Sequence, residues 1–121
     1  MSKTILVVED TEDNRQILRD LLTSAGFDLL EAVDGETGVA MATREKPDLI
    51  LMDIQLPLID GYEATRRIKA EPTLKHIPIL AVTSYALSGD EEKTRAAGCD
   101  GYIAKPFSPR ELLVKVREFL S

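Results

Sequence analysis

Short apolar runs alternate along the chain with longer amphipathic stretches. Residues 5–8 and 49–52 are continuous aliphatic runs, which is typical of strands that are buried on both faces. Residues 29–32, 79–82 and 101–104 are shorter or weaker runs of the same kind. These runs predict five short strands.

Helical periodicity and capping signals separate the predicted strands. The predicted N-caps are Asp34, Asp60, Ser88 and Ser108. One face of the first helix collects Ile17, Leu18, Leu21, Leu22 and Ala25, and we expect this face to be buried. Gly26 follows where a left-handed residue would end that helix.

The elements therefore follow a β-α pattern that repeats about five times. Alternating β-α units predict a parallel sheet with helices on both faces, which is a doubly wound α/β fold. A chain of 121 residues is the length of one domain, and we expect residues 1–121 to form it.

The fourth predicted helix has few apolar side chains. Residues 89–97 contain no large apolar residue. A helix with little apolar surface is weakly anchored, so we expect this segment to lie at the low-stability end of the fold. It is either a well-solvated surface helix or an element able to shift.

Composition excludes several classes of function. With 15 Lys and Arg against 21 Asp and Glu, the formal net charge is −6, which disfavours nucleic acid and membrane surfaces as partners. The single Cys99 and single His76 exclude an internal disulfide and a Cys- or His-rich zinc site. No apolar run approaches the ~20 residues of a membrane span, and no signal peptide is present, so we expect a cytoplasmic protein.

Chemically active side chains follow the predicted strands. Glu9 and Asp10 follow the first strand, Asp53 the third, Thr83 the fourth and Lys105 the fifth. The carboxyl ends of parallel strands share one edge of a sheet, where ligands bind. Clustered carboxylates repel one another unless a cation compensates, and oxygen ligands suit Mg²⁺. An aspartate beside a divalent cation, an ammonium and a hydroxyl has the groups needed to capture a phosphoryl group.

The motifs around these residues resemble those of one family, the response-regulator receiver domains of two-component signalling. They are Val7-Val8-Glu9-Asp10, Leu51-Met52-Asp53-Ile54-Gln55-Leu56-Pro57, Asp60-Gly61, Ala81-Val82-Thr83 and Lys105-Pro106-Phe107. The resemblance extends over residues 3–121. Within the family, the chain looks most like the single-domain regulators of chemotaxis and cell division. It implies a flavodoxin-like sheet of strand order 2-1-3-4-5 with five surrounding helices.

The resemblance also implies a role for each matching acidic residue. Asp53 corresponds to the phospho-acceptor. Asp10, Asp53 and the backbone carbonyl of Gln55 correspond to metal ligands, with Glu9 acting through water. The implied ion is Mg²⁺, with Mn²⁺ as an alternative.

Other matching residues correspond to the parts of a switch. Thr83 corresponds to the hydroxyl that closes on the phosphoryl group, and Lys105 to the lysine that pairs with it. Tyr102 corresponds to an aromatic switch residue that turns inward when the threonine moves. The Lys105–Pro106 peptide bond is expected to be cis. Gln55 and Tyr85 occupy positions that tune dephosphorylation, and we hypothesise that Tyr85 shields the phosphoryl group.

The expected function is a phosphorylation-dependent switch without an output domain, not a turnover enzyme. Its partners would be a histidine kinase or histidine phosphotransfer protein and a downstream protein target. It would be a monomer that could dimerise on phosphorylation. The alternatives are a receiver excised from a hybrid kinase or multidomain regulator, an aspartyl phosphatase and a flavodoxin-type redox protein.

Overall fold

The computed structural model describes residues 2–83 and 90–120, and within them strands and helices alternate as the apolar pattern predicts. The strands are β1 (Thr4–Val8), β2 (Asp28–Ala32), β3 (Leu49–Asp53), β4 (Ile79–Thr83) and β5 (Gly101–Ala104). The helices are α1 (Glu12–Ser24), α2 (Gly35–Glu45), α3 (Gly61–Ala70), α4 (Asp90–Ala97) and α5 (Pro109–Leu120). No helix in the described ranges is long and apolar enough to cross a membrane.

All four strand pairings are parallel, and the order is β2-β1-β3-β4-β5. This order confirms the predicted fold. β1 lies between β2 and β3, with Val8 opposite both Ala32 and Met52. The strand order reverses beside β1, so a crevice opens outside the carboxyl ends of β1 and β3. That crevice is where the first and third strands deliver their acidic residues.

Two apolar clusters cover the two faces of the sheet. Successive strand residues point to opposite faces, so each buried strand contributes side chains to both. On one face the strands pack with α1 and α5 through Leu18, Leu22, Leu112 and Val116. On the other face they pack with residues of α2 and α3, among them Ala42, Ala64 and Ile68. The central strands are therefore packed on both faces, and this packing positions the residues at their carboxyl ends.

Three of the predicted N-caps form. Asp34 accepts a hydrogen bond from the Thr37 N–H (2.7 Å). Asp60 accepts one from the Glu63 N–H (2.9 Å), and Ser108 one from the Glu111 N–H (3.1 Å).

Two further sequence predictions concern helix ends. Gly26 has φ 94°, the left-handed conformation predicted for the residue that ends α1. Ser88, the fourth predicted cap, lies outside the described residues.

One buried position was predicted wrongly. Ile17 is 58% exposed, whereas Leu18 and Leu22 are buried. The buried stripe of α1 is narrower than its apolar stripe, because Ile17 lies about 100° around the helix from Leu18. Ile17 therefore faces a surface groove instead of the sheet.

The weak anchoring predicted for the fourth helix agrees with its burial. Among residues 91–97, only Thr94 and Ala97 are buried. Neither side chain is large, so α4 buries little apolar surface against the rest of the fold.

Candidate functional site

Three carboxylates converge at the carboxyl ends of β1 and β3. Glu9 and Asp10 follow β1 directly, and Asp53 is the last residue of β3. One carboxylate oxygen from each of the three lies within 4.8 Å of the others. Glu9 and Asp53 are buried, whereas Asp10 is exposed. The cluster is thus open to solvent on the side of Asp10.

The Glu9 carboxylate is held by three donors. Its Oε2 accepts from the Thr11 N–H (3.1 Å). Its Oε1 accepts from Lys105 Nζ (3.1 Å) and from Asn14 Nδ2 (3.3 Å). Burial disfavours the charged form of Glu9, but the Thr11 N–H and the Lys105 ammonium outweigh it and lower its pKa. Glu9 is therefore an ionised residue whose carboxylate is held in one position.

Asp53 is a buried acid that accepts fewer hydrogen bonds. Its Oδ1 accepts from the Gln55 N–H (3.0 Å), and its Oδ2 lies 3.5 Å from Lys105 Nζ. Burial raises the pKa of Asp53 to about 6, and the nearby charge of Glu9 adds to the increase. The Gln55 N–H and Lys105 oppose the increase without cancelling it. A neighbouring cation would favour the ionised form of Asp53.

The residues present fit a hard divalent cation. Partial desolvation and the charge of Glu9 raise the pKa of Asp10, so two of the three acids carry unfavourable negative charge. All three offer oxygen ligands, and the cluster includes no Cys or His among the described residues. Oxygen ligands with one exposed carboxylate suit Mg²⁺, which binds through one or two carboxylates and keeps several waters.

Thr83 and Lys105 reach the same edge of the sheet from β4 and β5. Thr83 is fully buried at the end of β4. The Lys105 N–H donates to the Thr83 carbonyl (2.7 Å), which ties the two strand ends together. The Lys105–Pro106 bond is cis, as the family resemblance implies. The structure thus brings Asp53, Lys105 and Thr83 to one edge of the sheet.

The remaining switch and tuning residues are only partly described. Tyr102 is half-buried on β5, beside a cavity of about 200 Å³ that Thr94 and Cys99 also line. Gln55 is exposed two residues after Asp53, and its N–H donates to the Asp53 carboxylate. Tyr85 lies outside the described residues. The roles of these three residues stay predictions.

Two residues of α1 support the site and were not predicted from the sequence. Asn14 donates to the Glu9 carboxylate, and Arg15 Nη1 donates to the Glu9 carbonyl oxygen (2.9 Å). The sequence feature that could have predicted this support is the position of both residues in the first turn of a helix that directly follows the acidic loop. That signal is weak, because first-turn polar residues are common on solvated helix surfaces.

A groove with mostly apolar walls adjoins the carboxylates. Its volume is about 450 Å³, and Ile17, Leu18 and Phe107 line its apolar part. Glu9 and Lys105 line it as well. The groove therefore leads from the exposed surface of α1 to the acidic cluster.

Comparison with known proteins agrees with this geometry. Residues 5–117 match the family model of the response regulator receiver domain. The chain is 41% identical over 120 residues to the polar-differentiation response regulator DivK of Brucella anthropi, and the match covers 99% of this chain and 98% of the relative. DivK of Brucella ovis matches at the same level.

Solved structures of similar proteins have the same fold. The receiver domain of the sensor histidine kinase PA1611 from Pseudomonas aeruginosa PAO1 has a TM-score of 0.92 at 39% identity, covering 99% of this chain and 98% of that chain. That structure has a magnesium ion coordinated in its active site cleft. The chemotaxis response regulator CheY4 of Vibrio cholerae has a TM-score of 0.93 at 28% identity, covering 98% and 99% of the two chains.

The fold, the acidic cluster and these matches define a phosphorylation-switch module of two-component signalling. The chain belongs to the response regulator receiver domain family.

Proposed function

We propose that this protein is a signalling switch that accepts a phosphoryl group on Asp53. The observation that carries the proposal is the placement of Asp53: its carboxylate is buried at the end of β3, 3.5 Å from Lys105 Nζ and beside Glu9 and Asp10. A nucleophilic carboxylate, an ammonium and a metal-binding cluster in one crevice suit phosphoryl transfer. The proposed donor is a phosphohistidine of a histidine kinase or histidine phosphotransfer protein.

The transfer requires one bond to form and one to break. An Asp53 oxygen attacks phosphorus, and the bond between phosphorus and the histidine nitrogen breaks, with the imidazole keeping the electron pair and taking up a proton. Mg²⁺ held by Asp10, Asp53 and the Gln55 carbonyl, or Mn²⁺ in its place, would offset charge on the phosphoryl oxygens. Lys105 would then exchange part of its contact with Glu9 for the phosphoryl group.

The proposed output is a change in the surface formed by α4, β5 and α5. The Thr83 hydroxyl moves onto the phosphoryl oxygens, and Tyr102 turns inward into the space released. The shallow burial of α4 supports this proposal, since a switch needs two arrangements of similar free energy. A downstream protein recognises the altered surface, or a second copy of the chain pairs with it.

The groove beside the carboxylates offers the donor an approach. The donor histidine must come within bonding distance of Asp53, so its protein covers the edge of the sheet. The exposed Ile17 and the partly exposed Phe107 supply apolar contact area there. We place the reaction in the cytoplasm, where ATP is available to the kinase that supplies the phosphoryl group.

Phosphotransfer profiling tests the proposal. Radiolabelled histidine kinases and phosphotransfer proteins of the host are mixed in turn with the wild type, with Asp53→Asn and with Asp20→Asn, whose carboxylate is exposed on α1. We expect rapid labelling of the wild type and Asp20→Asn by a few donors, and none of Asp53→Asn. Equal labelling of the Asp53 variant would refute the assignment.

The same preparations separate the proposal from other activities. A switch releases the phosphoryl group once per labelling, whereas a phosphatase would show sustained turnover of small phosphate esters. A flavodoxin-type protein would carry flavin absorbance. We expect neither property.

A further inference from the structure

Arg15 connects the acidic cluster to the body of the protein. Its side chain is only 12% exposed, although arginine usually extends into solvent. Its Nη1 donates to the carbonyl oxygen of Glu9 (2.9 Å). That carbonyl belongs to the peptide unit that joins Glu9 to Asp10, so Arg15 contacts the backbone between two members of the cluster.

The guanidinium is itself held in place by acids from two elements. Its Nη2 donates to the carboxylate of Glu12 on α1, and the carboxylate of Glu31 on β2 lies 3.5 Å from its Nε. Arg19 fixes Glu31 from the other side, with Nε and Nη2 at 2.8 and 2.7 Å from the two carboxylate oxygens. Arg15 therefore has little freedom to move away from the Glu9 carbonyl.

Asp10 depends on this arrangement more than Glu9 does. Three donors hold the Glu9 side chain, whereas the Asp10 carboxylate contacts its own backbone N–H and the Glu9 carboxylate. Both contacts are made within the Glu9–Asp10 segment, so the position of the Asp10 side chain depends on how that segment is held. The orientation of the Glu9–Asp10 peptide unit decides whether Asp10 faces Asp53.

We propose that Arg15 is a positioning residue for the metal site: it fixes the Glu9–Asp10 peptide unit and so aims the Asp10 carboxylate at Asp53. This inference rests on the proposed function, because it assumes that Asp10 and Asp53 bind the divalent cation. Partners of this kind contribute to metal affinity without touching the ion.

Two explanations of the effect of Arg15 predict opposite signs. If its charge alone mattered, removing it would leave the cluster more negative, and Mg²⁺ would bind more tightly. If it positions Asp10, removing it loosens the ligand, and Mg²⁺ binds more weakly. Arg19 is a matched control, since it carries the same charge and pairs with the same Glu12 and Glu31.

Titration calorimetry with Mg²⁺ on the unphosphorylated full chain distinguishes the two explanations. We expect Arg15→Ala to raise the dissociation constant by about tenfold, at the lower end of the range for such partners. Arg19→Ala should have a smaller effect, within about twofold of the wild type: it loosens Glu31 but leaves the hydrogen bond of Arg15 to the Glu9 carbonyl in place. Arg15→Lys keeps the charge but lacks the fork of donors that contacts the carbonyl and Glu31 together. Its dissociation constant for Mg²⁺ should therefore lie between those of the wild type and Arg15→Ala.

Phosphorylation by acetyl phosphate gives a second readout. For Arg15→Ala the Mg²⁺ concentration that gives half-maximal labelling should rise with the dissociation constant, while the rate at saturating Mg²⁺ recovers.

Unchanged or tighter Mg²⁺ binding by Arg15→Ala, or an equal loss in Arg19→Ala, would overturn the proposal. If Arg15→Ala does not fold, the comparison of Arg15→Lys with Arg19→Lys decides in the same way. A wild type that binds no Mg²⁺ and is not labelled would instead refute the proposed function itself.

Discussion

The ammonium group of Lys105 lies between Glu9 and Asp53, 3.1 Å from Oε1 of Glu9 and 3.5 Å from Oδ2 of Asp53. Both carboxylates are buried. Among the described residues, Lys105 is the ion-pair partner of Glu9 and also of Asp53. One cation thus offsets the charge of two acids. The stability of the site depends on Lys105 as long as no metal or phosphoryl group is present.

Replacing Lys105 with methionine should destabilise the metal-free protein in a pH-dependent way. The change leaves two buried carboxylates unpaired, and we expect a loss of about 2 kcal/mol at pH 8, below the 3–5 kcal/mol range for fully buried pairs because Lys105 is partly exposed. The loss should shrink towards pH 5, where protonation of Asp53 removes one charge. Urea unfolding followed by circular dichroism measures both values.

Lys115→Met, which removes an exposed lysine of α5, is the control for this experiment. It should change stability little at either pH, since exposed charges contribute little. A pH-independent loss in Lys105→Met would contradict an effect that acts through the charge of Asp53.

Asp53→Asn should stabilise the metal-free fold at neutral pH. Burial raises the pKa of Asp53 to about 6 from an ordinary value of 3.8, so ionisation at neutral pH opposes folding. A difference of about two pH units corresponds to at most roughly 3 kcal/mol. The sign follows from linkage: the native state holds the proton more tightly, so the wild type loses stability as pH rises from about 4 to 6.

The measurement is the free energy of unfolding of both proteins at pH 4 and pH 8 without divalent cations. The two should be nearly equal at pH 4, and the variant should be more stable at pH 8. A variant that is less stable at pH 8 would contradict the raised pKa.

Gly61→Ala should damage the site through the backbone. A β-carbon on Gly61 would overlap the carbonyl oxygen of Asp53 and lie 2.7 Å from the α-carbon of Ile54. Neither backbone atom can move without displacing the end of β3. We expect a loss of roughly 1–3 kcal/mol in stability and slower labelling by acetyl phosphate.

Gly26→Ala is the control that separates a loss of stability from damage to the site. Gly26 has φ 94° and no heavy atom near the added carbon, so the substitution costs about 1–2 kcal/mol through backbone strain far from the site. Its labelling rate should equal that of the wild type. Equal labelling of Gly61→Ala would mean that the loop after Asp53 tolerates displacement.

Ile17→Ser should weaken transfer from a protein donor but not from acetyl phosphate. Ile17 is 58% exposed on the groove beside Lys105, so the change costs little stability. Losing an apolar contact at an interface lowers binding by about 1–2 kcal/mol, or roughly tenfold in transfer rate at low donor concentration. Initial rates with each donor measure the effect.

Val114→Ser is the matched control for Ile17, since Val114 is 48% exposed on α5 and does not line that groove. We expect Val114→Ser to transfer normally. An equal loss in both variants would argue that the donor does not use the groove next to α1.

The fold and most of the site were predictable from the sequence because the signals are local. A strand buried on both faces must be apolar at successive positions, as in β1 and β3, and the caps Asp34 and Asp60 need only residues of their own turn. The convergence of Asp10 and Asp53 follows from a general property of parallel sheets, whose carboxyl ends share one edge.

Tertiary structure alone decided which side chains meet across elements. The exposure of Ile17 depends on how α1 lies on the sheet, which its own periodicity does not specify. The raised pKa of Asp53 arises from burial by other segments. The contact of Arg15 with the Glu9 carbonyl arises from the way α1 packs beside β2. Sequence determines which groups are available and where each strand ends, but the distances and desolvation that give those groups their chemistry arise only when separate elements pack together.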